Sequence, residues 1–555
     1  MKKRFWFILT ITMATCLLAC GKNEEAVDNS EPEIQAEEIK DSAEAVDLTQ
    51  EELDSFTKLF ATEEYNGFLV KPFKDASEIE WGEVLYLGAG ISAKDVSEDE
   101  KNAFYKQIGV ADGEECGDLV TLRAEDIKSF VESHTDASYE DIKDKIDFEY
   151  VKEYDSYYSL HGDSNWVNYS CQSGKKLNDQ YVIQMKNQYL EDDNSNYCDY
   201  PDIEVTFVKN GDDYKMISNE WFWEVGNDPN QTFDIKVPGH DNPGRLITYQ
   251  GNSETGAAAH MIVTVDGKRF DWLGTWYGDA DNMSIDFTTI KAVGIFDFTA
   301  DGADDIVVVA EDANGKEHVG LYEYGVFYDV EGYNYLTDAS NWITNYYSEE
   351  LTIPNVKSYL LGDNQSAEYK TWKDAYAQVV RICNLEGKYK YNLIYLDEDD
   401  VPELVVDNEG YYLKLYSFKD GHSVPLANDF GYGAAGVVDY EYAPKKNCIR
   451  YSNSDYAGLI CFLNYMSVHG SEVSWDYCLN MDNYDDLDGN GYPSEDEMTD
   501  EALAKAKGTS TYTAKDESLS QSEIKAKMDE LEKYDFEAIH GKYDMVEFND
   551  VMKKF

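Results

Sequence analysis

The 555-residue chain lacks the short motifs by which common enzyme classes are identified. It has no HExxH zinc motif, no Gly-x-Ser-x-Gly nucleophile turn and no Walker loop, and the pair Gly88-Ala-Gly90 lacks the third glycine of a dinucleotide turn. Of its eight histidines, only His161 has polar neighbours suited to acid–base chemistry, in His161-Gly-Asp163-Ser164-Asn165. A turn between two strands is the simpler interpretation, so no catalytic residue is assigned.

Basic residues are scarce, since 47 Lys and Arg stand against 110 Asp and Glu and give a formal net charge of -63. Such a chain repels nucleic acid and anionic headgroups, and we expect no nucleic-acid partner. Carboxylates are so numerous that the presence of carboxylate pairs, which glycosidases use as acid and base, does not distinguish an enzyme from a non-enzyme. A secreted hydrolase of cell-wall or other glycans therefore stays open as an alternative function. The 44 Tyr and ten Trp either stack on sugars or pack sheet faces, and the second use is commoner.

Long apolar runs are absent apart from one, Phe5 to Leu18, which follows the basic segment Met1-Lys2-Lys3-Arg4. This is the pattern of a secretion signal, and the run is too short for a comfortable membrane span. It ends in Leu17-Leu18-Ala19-Cys20-Gly21, which resembles a lipobox. The resemblance implies a lipoprotein signal over residues 1–20, lipidation at Cys20 and a lipid-anchored location on the extracytoplasmic face of the cell membrane. An ordinary signal peptide and an uncleaved anchor are the alternatives.

The next segment, residues 21–54, has 13 Asp or Glu against Lys22 and Lys40 and no aromatic residue, which predicts a disordered acidic tether. The rest of the chain is long enough for about three domains at roughly 100–200 residues each. We expect an α+β, multi-domain, antiparallel β-rich fold with a few peripheral helices. Its expected parts are an α+β domain with an antiparallel meander at 55–225, an all-β module at 226–350 and an α+β domain at 351–555.

Helical patterns run over residues 98–107, 124–133 and 522–533, and a fourth starts near Ser366 and stops at Gly387. Alternating Tyr-rich segments separated by Gly, Asn and Asp predict strands between them. No clear βαβ alternation is present, which argues against the two-lobed form of a transporter's binding lipoprotein.

Cysteines are few, and seven remain beyond Cys16 in the signal and Cys20. An odd number cannot all pair internally, and none has CxxC or zinc-ligand spacing. We expect buried thiols, with one bridge from Cys171 to Cys198.

One sequence pattern occurs twice: the segment beginning at Val293 aligns without gaps on the segment beginning at Tyr391. Each reads as strand, acidic loop, strand, turn, strand. In the first acidic loop (residues 297–305), oxygen side chains occupy positions 1, 3, 5 and 9, namely Asp297, Thr299, Asp301 and Asp305. Gly302 stands at position 6, where the chain must turn, and the carbonyl of Ala303 offers a further oxygen for Ca²⁺. The loop resembles the calcium loops of the FG-GAP and VCBS families, and the alternative is an acidic surface loop.

The second acidic loop (residues 395–403) departs from this pattern, because Tyr395 stands at position 1 and Asp400 replaces the glycine. Only Asp397, Asp399 and Glu403 remain, and a rigid strand-to-strand turn without metal is the better interpretation.

The third acidic loop (residues 486–497) satisfies every side-chain position of the EF-hand consensus. Its candidate metal ligands are Asp486, Asp488, Asn490, Tyr492 and Glu497. Because a strand pattern precedes the loop, an EF-like site is expected rather than a helix-loop-helix pair.

Several segments together resemble surface lipoproteins of Gram-positive anaerobes that have no established activity. They are the lipobox, the acidic tether, Tyr154-Asp-Ser-Tyr-Tyr-Ser-Leu-His-Gly-Asp, Tyr391 to Val406, and Gly431-Tyr-Gly-Ala-Ala-Gly through Asn453-Ser-Asp-Tyr-Ala-Gly458. The preferred hypothesis is a membrane-anchored binding or interaction protein whose loops are stiffened by Ca²⁺, with a surface glycan or a protein as its ligand.

Overall fold

The computed structural model describes residues 39–40, 42, 44–110, 117–188, 200–240, 242–251, 258–274, 276–277, 284–285, 287–327, 330–362, 368–432, 439–470, 472–487, 489 and 491–555. The expected secretion signal, Cys20 and residues 21–38 of the expected tether lie outside them. The described chain is mostly antiparallel β with several helices, which confirms the predicted β-rich α+β class. No helix in this part of the chain combines the length and apolarity needed to cross a bilayer.

The chain separates into two compact units. The first contains residues up to 186 together with 204–220, and the second contains 187–203 together with 221–555. The division into three domains stays a prediction. Within the second unit, one continuous core joins residues on both sides of position 350, from Phe298 and Val307 to Val356 and Leu360.

The first unit carries short helices and two antiparallel sheets. Its helices are α1 Gln50–Phe60, α2 Glu63–Asn66, α3 Trp81–Leu85, α4 Glu98–Ile108, α5 Ala124–His134 and α6 Tyr139–Ile142. Its three-stranded sheet has the order β2-β4-β3 and its five-stranded sheet the order β1-β5-β6-β7-β8. These strands are β1 Val46–Asp47, β2 Asp118–Arg123, β3 Glu149–Val151, β4 Ser156–His161, β5 Tyr169–Leu177, β6 Gln180–Asn187, β7 Asp202–Asn210 and β8 Asp213–Phe222.

The last residues of the expected tether are ordered, which corrects the prediction of a disordered segment up to residue 54. Strand β1 pairs with β5, and α1 begins directly after Thr49. The Thr49 hydroxyl and the Glu52 carboxylate form a capping box at its start, with the Thr49 backbone N–H donating to Glu52 over 2.8 Å. Leu53 and Phe56 are buried, so apolar anchoring outweighs the local acidity.

The second unit consists mainly of antiparallel meanders. Its four-stranded sheets are β9 to β12, β15 to β18 and β19 to β22, with a two-stranded pair β13-β14 and a six-stranded sheet of order β27-β26-β25-β24-β23-β28. The strands are β9 Phe233–Ile235, β10 Gly244–Tyr249, β11 His260–Val265, β12 Lys268–Leu273, β13 Trp276–Tyr277, β14 Ser284–Ile285, β15 Phe287–Ile295, β16 Ile306–Asp312, β17 Glu317–Phe327, β18 Val330–Tyr335, β19 Lys390–Ile394, β20 Glu403–Asn408, β21 Tyr412–Lys419, β22 His422–Gly431, β23 Asp439–Ala443, β24 Cys448–Asp455, β25 Ile460–His469, β26 Glu472–Asp482, β27 Thr509–Ala514 and β28 Glu537–Ala538. The helices are α7 Thr337–Tyr346, α8 Ile353–Leu361, α9 Trp372–Glu386, α10 Asp500–Leu503, α11 Gln521–Leu531 and α12 Met545–Met552.

The repeated sequence pattern forms two equivalent meanders, as predicted. In each, the strand after the acidic loop pairs with the Leu-Tyr strand, so that Ile306 lies opposite Tyr322 and Leu404 lies opposite Tyr416. Strand β16 is buried on both faces, because Val308 packs against β9 to β12 while its neighbour Val307 packs against α7 to α9. Burial on both faces explains why this strand is continuously apolar rather than alternating.

Candidate calcium-binding loops

The first acidic loop connects β15 to β16 and is folded around the carboxylate of Asp297. One oxygen of Asp297 accepts a hydrogen bond from the backbone N–H of Ala300 over 2.6 Å, and the other accepts from Gly302 over 2.9 Å. Gly302 has φ +90, and a Cβ there would lie 3.0 Å from His422 Cγ. Glycine is therefore required at position 6 both by the backbone conformation and by the close side chain.

Asp305 closes the same loop from position 9. Its side chain is fully buried, at 0% exposure, and accepts from the backbone N–H groups of Phe298 at 2.8 Å, Thr299 at 2.9 Å and Tyr324 at 3.1 Å. The Thr299 hydroxyl donates to it as well, over 3.0 Å. Three of these donors share Oδ2 and one reaches Oδ1, so the protein itself takes up most of the acceptor capacity of Asp305. It fits the role of loop closure better than that of a direct metal ligand.

Three aspartates in one buried loop repel one another. Burial raises the pKa of the Asp297 carboxyl. Burial and then the charge of Asp297 raise the pKa of Asp301 to about 7. Burial and then the charges of Asp301 and Asp297 hold the pKa of Asp305 well above its usual range. Without a cation, the folded loop therefore favours protonated carboxyls.

Elements distant in sequence hold this loop in place. The buried amide of Gln378 on α9 donates to the carbonyl of Phe298 over 2.8 Å, and the backbone N–H of Ser423 on β22 donates to the carbonyl of Ala300 over 2.6 Å. His422 places its ring Nδ1 3.8 Å from an oxygen of Asp297. Sequence analysis missed His422, because it lies more than a hundred residues from the loop and carries no local motif.

A cavity of about 430 Å³ opens beside the first acidic loop. Asp297, Gly302 and His422 line one part of it, and Lys236 and Lys357 line another. The loop is thus accessible to a small ion or molecule at the edge where its first carboxylate lies.

The second acidic loop repeats the closure but not the centre of the first. Glu403, the counterpart of Asp305, accepts from the backbone N–H of Leu396 over 2.9 Å, and Asp399 accepts from Val401 over 2.7 Å. Burial raises the pKa of Glu403 to about 7. Tyr395 stands where the first loop has Asp297, and the Lys445 ammonium lies over the Tyr395 ring, 5.1 Å from its centroid. The geometry favours a structural turn.

The third acidic loop lies between strand β26 and the short helix α10, so the expected EF-like setting without an entering helix is observed. Asp486 accepts from the backbone N–H of Gly489 over 2.7 Å and of Gly491 over 3.0 Å. Buried Glu497 accepts from Leu487 over 2.5 Å and from Ser494 over 2.9 Å, whereas the Tyr492 side chain is exposed. Asp488 and Asn490 lie outside the described residues.

The first and third loops share one hydrogen-bond pattern although their sequence contexts differ. In both, the carboxylate at position 1 accepts from the N–H groups at positions 4 and 6, and a distant carboxylate accepts from position 2. Within the described residues, no three Asp, Glu, His or Cys side chains form a ready metal-binding group. Asp297, Thr299 and Asp301 nevertheless retain acceptor positions beyond the bonds named above, and these oxygens fit a hard cation.

The described cysteines are buried or half-buried thiols. Cys171 is a free thiol, which contradicts the expected bridge to Cys198, a residue outside the described part of the chain. Cys171 faces inward from β5, with its backbone N–H donating to the Thr57 hydroxyl on α1 over 3.0 Å. Burial raises the pKa of its thiol to about 11.

No family model and no curated protein matches the chain. Among solved structures, a crystal structure from Bacteroides uniformis ATCC 8492, described as a provisional 6-phosphogluconolactonase, is similar at 11% identity. The alignment covers 52% of this chain and 65% of that one, with a TM-score of 0.13. A score of this size supports no argument about fold or function.

Proposed function

We propose that the chain is a multi-domain lipoprotein, anchored through Cys20 on the extracytoplasmic face of the cell membrane, that serves as a calcium-stiffened binding or interaction module. The observation that carries the calcium part is the group of three carboxylates in the first acidic loop, where burial raises the pKa of Asp297, Asp301 and Asp305. A divalent cation would relieve their mutual repulsion, because the ionised forms then gain a partner.

The first loop is the better of the two candidate calcium sites. Asp297, Thr299 and Asp301 would supply side-chain oxygens and Ala303 a carbonyl, while Asp305 would hold the backbone around them. The third loop would supply Asp486, Asp488, Asn490, Glu497 and the carbonyl of Tyr492. In either loop, bound Ca²⁺ would fix strand connections that otherwise depend on backbone bonds to a carboxylate.

The test is calorimetric titration of Ca²⁺ into the full chain, purified in detergent and freed of metal by a chelator. Asp297→Ala should abolish one binding event, and Asp304→Ala, in the same loop but at a non-ligand position, is its matched control. Asp486→Ala and its control Glu495→Ala test the third loop in the same way. If the wild-type chain binds no Ca²⁺, or if Asp297→Ala and Asp486→Ala bind it as wild type does, the calcium proposal fails.

Anchoring is tested separately by feeding labelled palmitate to cells that produce the wild-type chain or its Cys20→Ser variant. Label in the wild-type chain and none in the variant is the expected result, because the proposed acyl chains attach at this cysteine. Equal labelling of both would overturn the assignment of Cys20.

A further inference from the structure

The cavity beside the first acidic loop brings that loop together with two lysines from other elements. Its volume, about 430 Å³, is within the range of small-molecule sites, about 300 to 1,000 Å³. Asp297 and Gly302 of the loop line it, together with Lys236, which follows β9, and Lys357 on α8. A cation held by the loop would therefore lie at the edge of a cavity that also has two ammonium groups.

Neither lysine forms an ion pair within the part of the chain that the structure describes. The Lys357 ammonium lies over the Phe296 ring, 4.7 Å from its centroid. The backbone N–H of Lys236 donates to the Asp304 carboxylate over 3.1 Å, which fixes this lysine beside the loop. In a chain with 110 Asp and Glu against 47 Lys and Arg, two ammonium groups without a carboxylate partner at one cavity favour an anion from outside.

Calcium bound by the loop would keep open positions toward the cavity. Ca²⁺ takes about six to eight oxygens. The side chains of Asp297, Thr299 and Asp301 and the carbonyl of Ala303 offer only part of this number, and most of the acceptor capacity of Asp305 is taken up by the protein. Water or a ligand must supply the other oxygens, and the cavity is the side from which either can reach Asp297.

The charges that line the cavity make the binding of an anion depend on calcium. Without calcium, the carboxylates of Asp297, Asp304 and Glu368 repel an anion. With calcium at Asp297, one oxygen of an anion can bind the ion while another reaches an ammonium, because a lysine side chain is long and flexible. A carboxylate carries a single charge, so Asp304 and Glu368 repel it less than a phosphate group, which carries about -1.5 to -2. Calcium and both lysines repel an amine.

We propose that this cavity binds an organic carboxylate through calcium held by the first acidic loop, with Lys236 and Lys357 as its counter-charges. The inference rests on the proposed function, to which it adds a ligand class. It gives calcium a second role, because the ion then binds the ligand as well as stiffening the loop. The two affinities are linked, so the carboxylate must tighten calcium binding by the same factor by which calcium tightens carboxylate binding.

The test is calorimetric titration of the full chain, purified in detergent, with phenylacetate and galacturonate in saturating Ca²⁺ and in chelator. These monocarboxylates represent an apolar acid and a sugar acid, and both chelate Ca²⁺ only weakly. At least one should bind in Ca²⁺ and bind at least about ten-fold more weakly in chelator. Lys236→Gln and Lys357→Gln should each weaken that binding about three- to ten-fold, the usual effect of one hydrogen bond. Neither should reduce the Ca²⁺ affinity measured without a probe, and melting temperature checks that each variant is folded.

Asp297→Ala separates the two effects of this side chain. The substitution removes a carboxylate that repels an anion, and it also removes a ligand of the proposed calcium ion. We expect probe binding to be lost, because the loss of calcium outweighs the lost repulsion. Tighter probe binding than in wild type would show that the lysines act without calcium, and would overturn the inference.

Lys373→Gln is the matched control, because the Lys373 ammonium also lies over an aromatic ring, that of Trp372 at 5.5 Å, but Lys373 does not line this cavity. It should bind Ca²⁺ and the probe as wild type does. The inference alone is overturned if wild type binds Ca²⁺ but neither probe, if both lysine variants bind the probe as tightly as wild type, or if inorganic phosphate binds and neither probe does. Equal probe binding in Ca²⁺ and in chelator overturns it as well. If wild type binds no Ca²⁺, the calcium part of the proposed function and this inference fail together.

Discussion

The charge of the first acidic loop predicts that pH and calcium act on stability together. Burial and the neighbouring Asp297 raise the pKa of Asp301 from 3.8 to about 7 in the folded chain. Because the folded form holds this proton more tightly than the unfolded form, the contribution of Asp301 to stability in chelator is greatest below pH 4. It falls as pH rises toward 7 and is level above that. The proposed calcium site requires the ionised loop, so Ca²⁺ should stabilise the chain strongly at pH 8 and little at pH 5.

The size of the effect follows from the shift. About three pH units at 1.36 kcal/mol each give an upper value of about 4 kcal/mol. Asp301 is partly exposed, and solvent screening reduces this to roughly 2 kcal/mol. The second unit is larger than the 150 to 250 residues for which 1 kcal/mol corresponds to about 2 to 4 °C, so such a loss lowers the melting temperature by only about 2 to 4 °C.

The assay is thermal unfolding of wild type, Asp301→Asn and Asp304→Asn, in chelator and in excess Ca²⁺, from pH 5 to pH 8. In chelator, wild type should lose those degrees relative to Asp301→Asn as pH rises, while Asp304→Asn follows wild type. Comparing variants at each pH removes the titration of the many other carboxylates. Parallel curves for wild type and Asp301→Asn in chelator, or equal stabilisation by Ca²⁺ at both ends of the range, would refute the reasoning.

Three further changes test how the loops and the ordered start of the chain are held. Gln378→Leu removes the donors to two buried carbonyls, at 2.8 and 2.9 Å. It should lower the free energy of unfolding by about 2 to 3 kcal/mol in a denaturant titration. An unchanged midpoint would contradict the role of Gln378 as a support of the first loop. Burial raises the pKa of Glu403 to about 7. As pH rises from 5 to 8, the free energy of unfolding of Glu403→Gln should therefore increase relative to wild type by up to about 3 kcal/mol. A difference in melting temperature that does not vary with pH would contradict this prediction. Thr49→Ala removes the capping box of α1 and should cost about 1 kcal/mol, measured by hydrogen exchange in α1, with protection equal to wild type as the contrary result.

Apolar periodicity and capping residues predicted those helices whose sequence signal lies within the helix itself. The pattern at 98–107 corresponds to α4, and Ser97 caps it by accepting from the Glu100 N–H. The same kind of signal at Thr49 and Glu52 was overlooked, because the surrounding acidity indicated a tether. Helix α7 was also missed, since its residues follow a strand-rich segment and its burial depends on β17 packed beneath it. Local patterns do not contain that tertiary contact.

The centre of the first acidic loop was readable from spacing alone, because Asp297 and Gly302 stand at fixed positions of a known turn. The residues that hold this loop in place could not be predicted in that way. Gln378 and His422 reach it from a helix and a strand that no sequence pattern connects with it.

The two repeated loops show how one backbone handles acidic charge in two ways. Both close through a carboxylate that accepts from position 2, at 2.8 Å from Phe298 and 2.9 Å from Leu396. At position 1, however, the first loop keeps a buried carboxylate, whereas the second has the Tyr395 ring with a tethered ammonium, Lys445, above it. A fixed cation at that position repels a second one, so a divalent ion gains nothing there. The residue type at position 1, rather than the number of acidic residues, should therefore decide which loop responds to calcium.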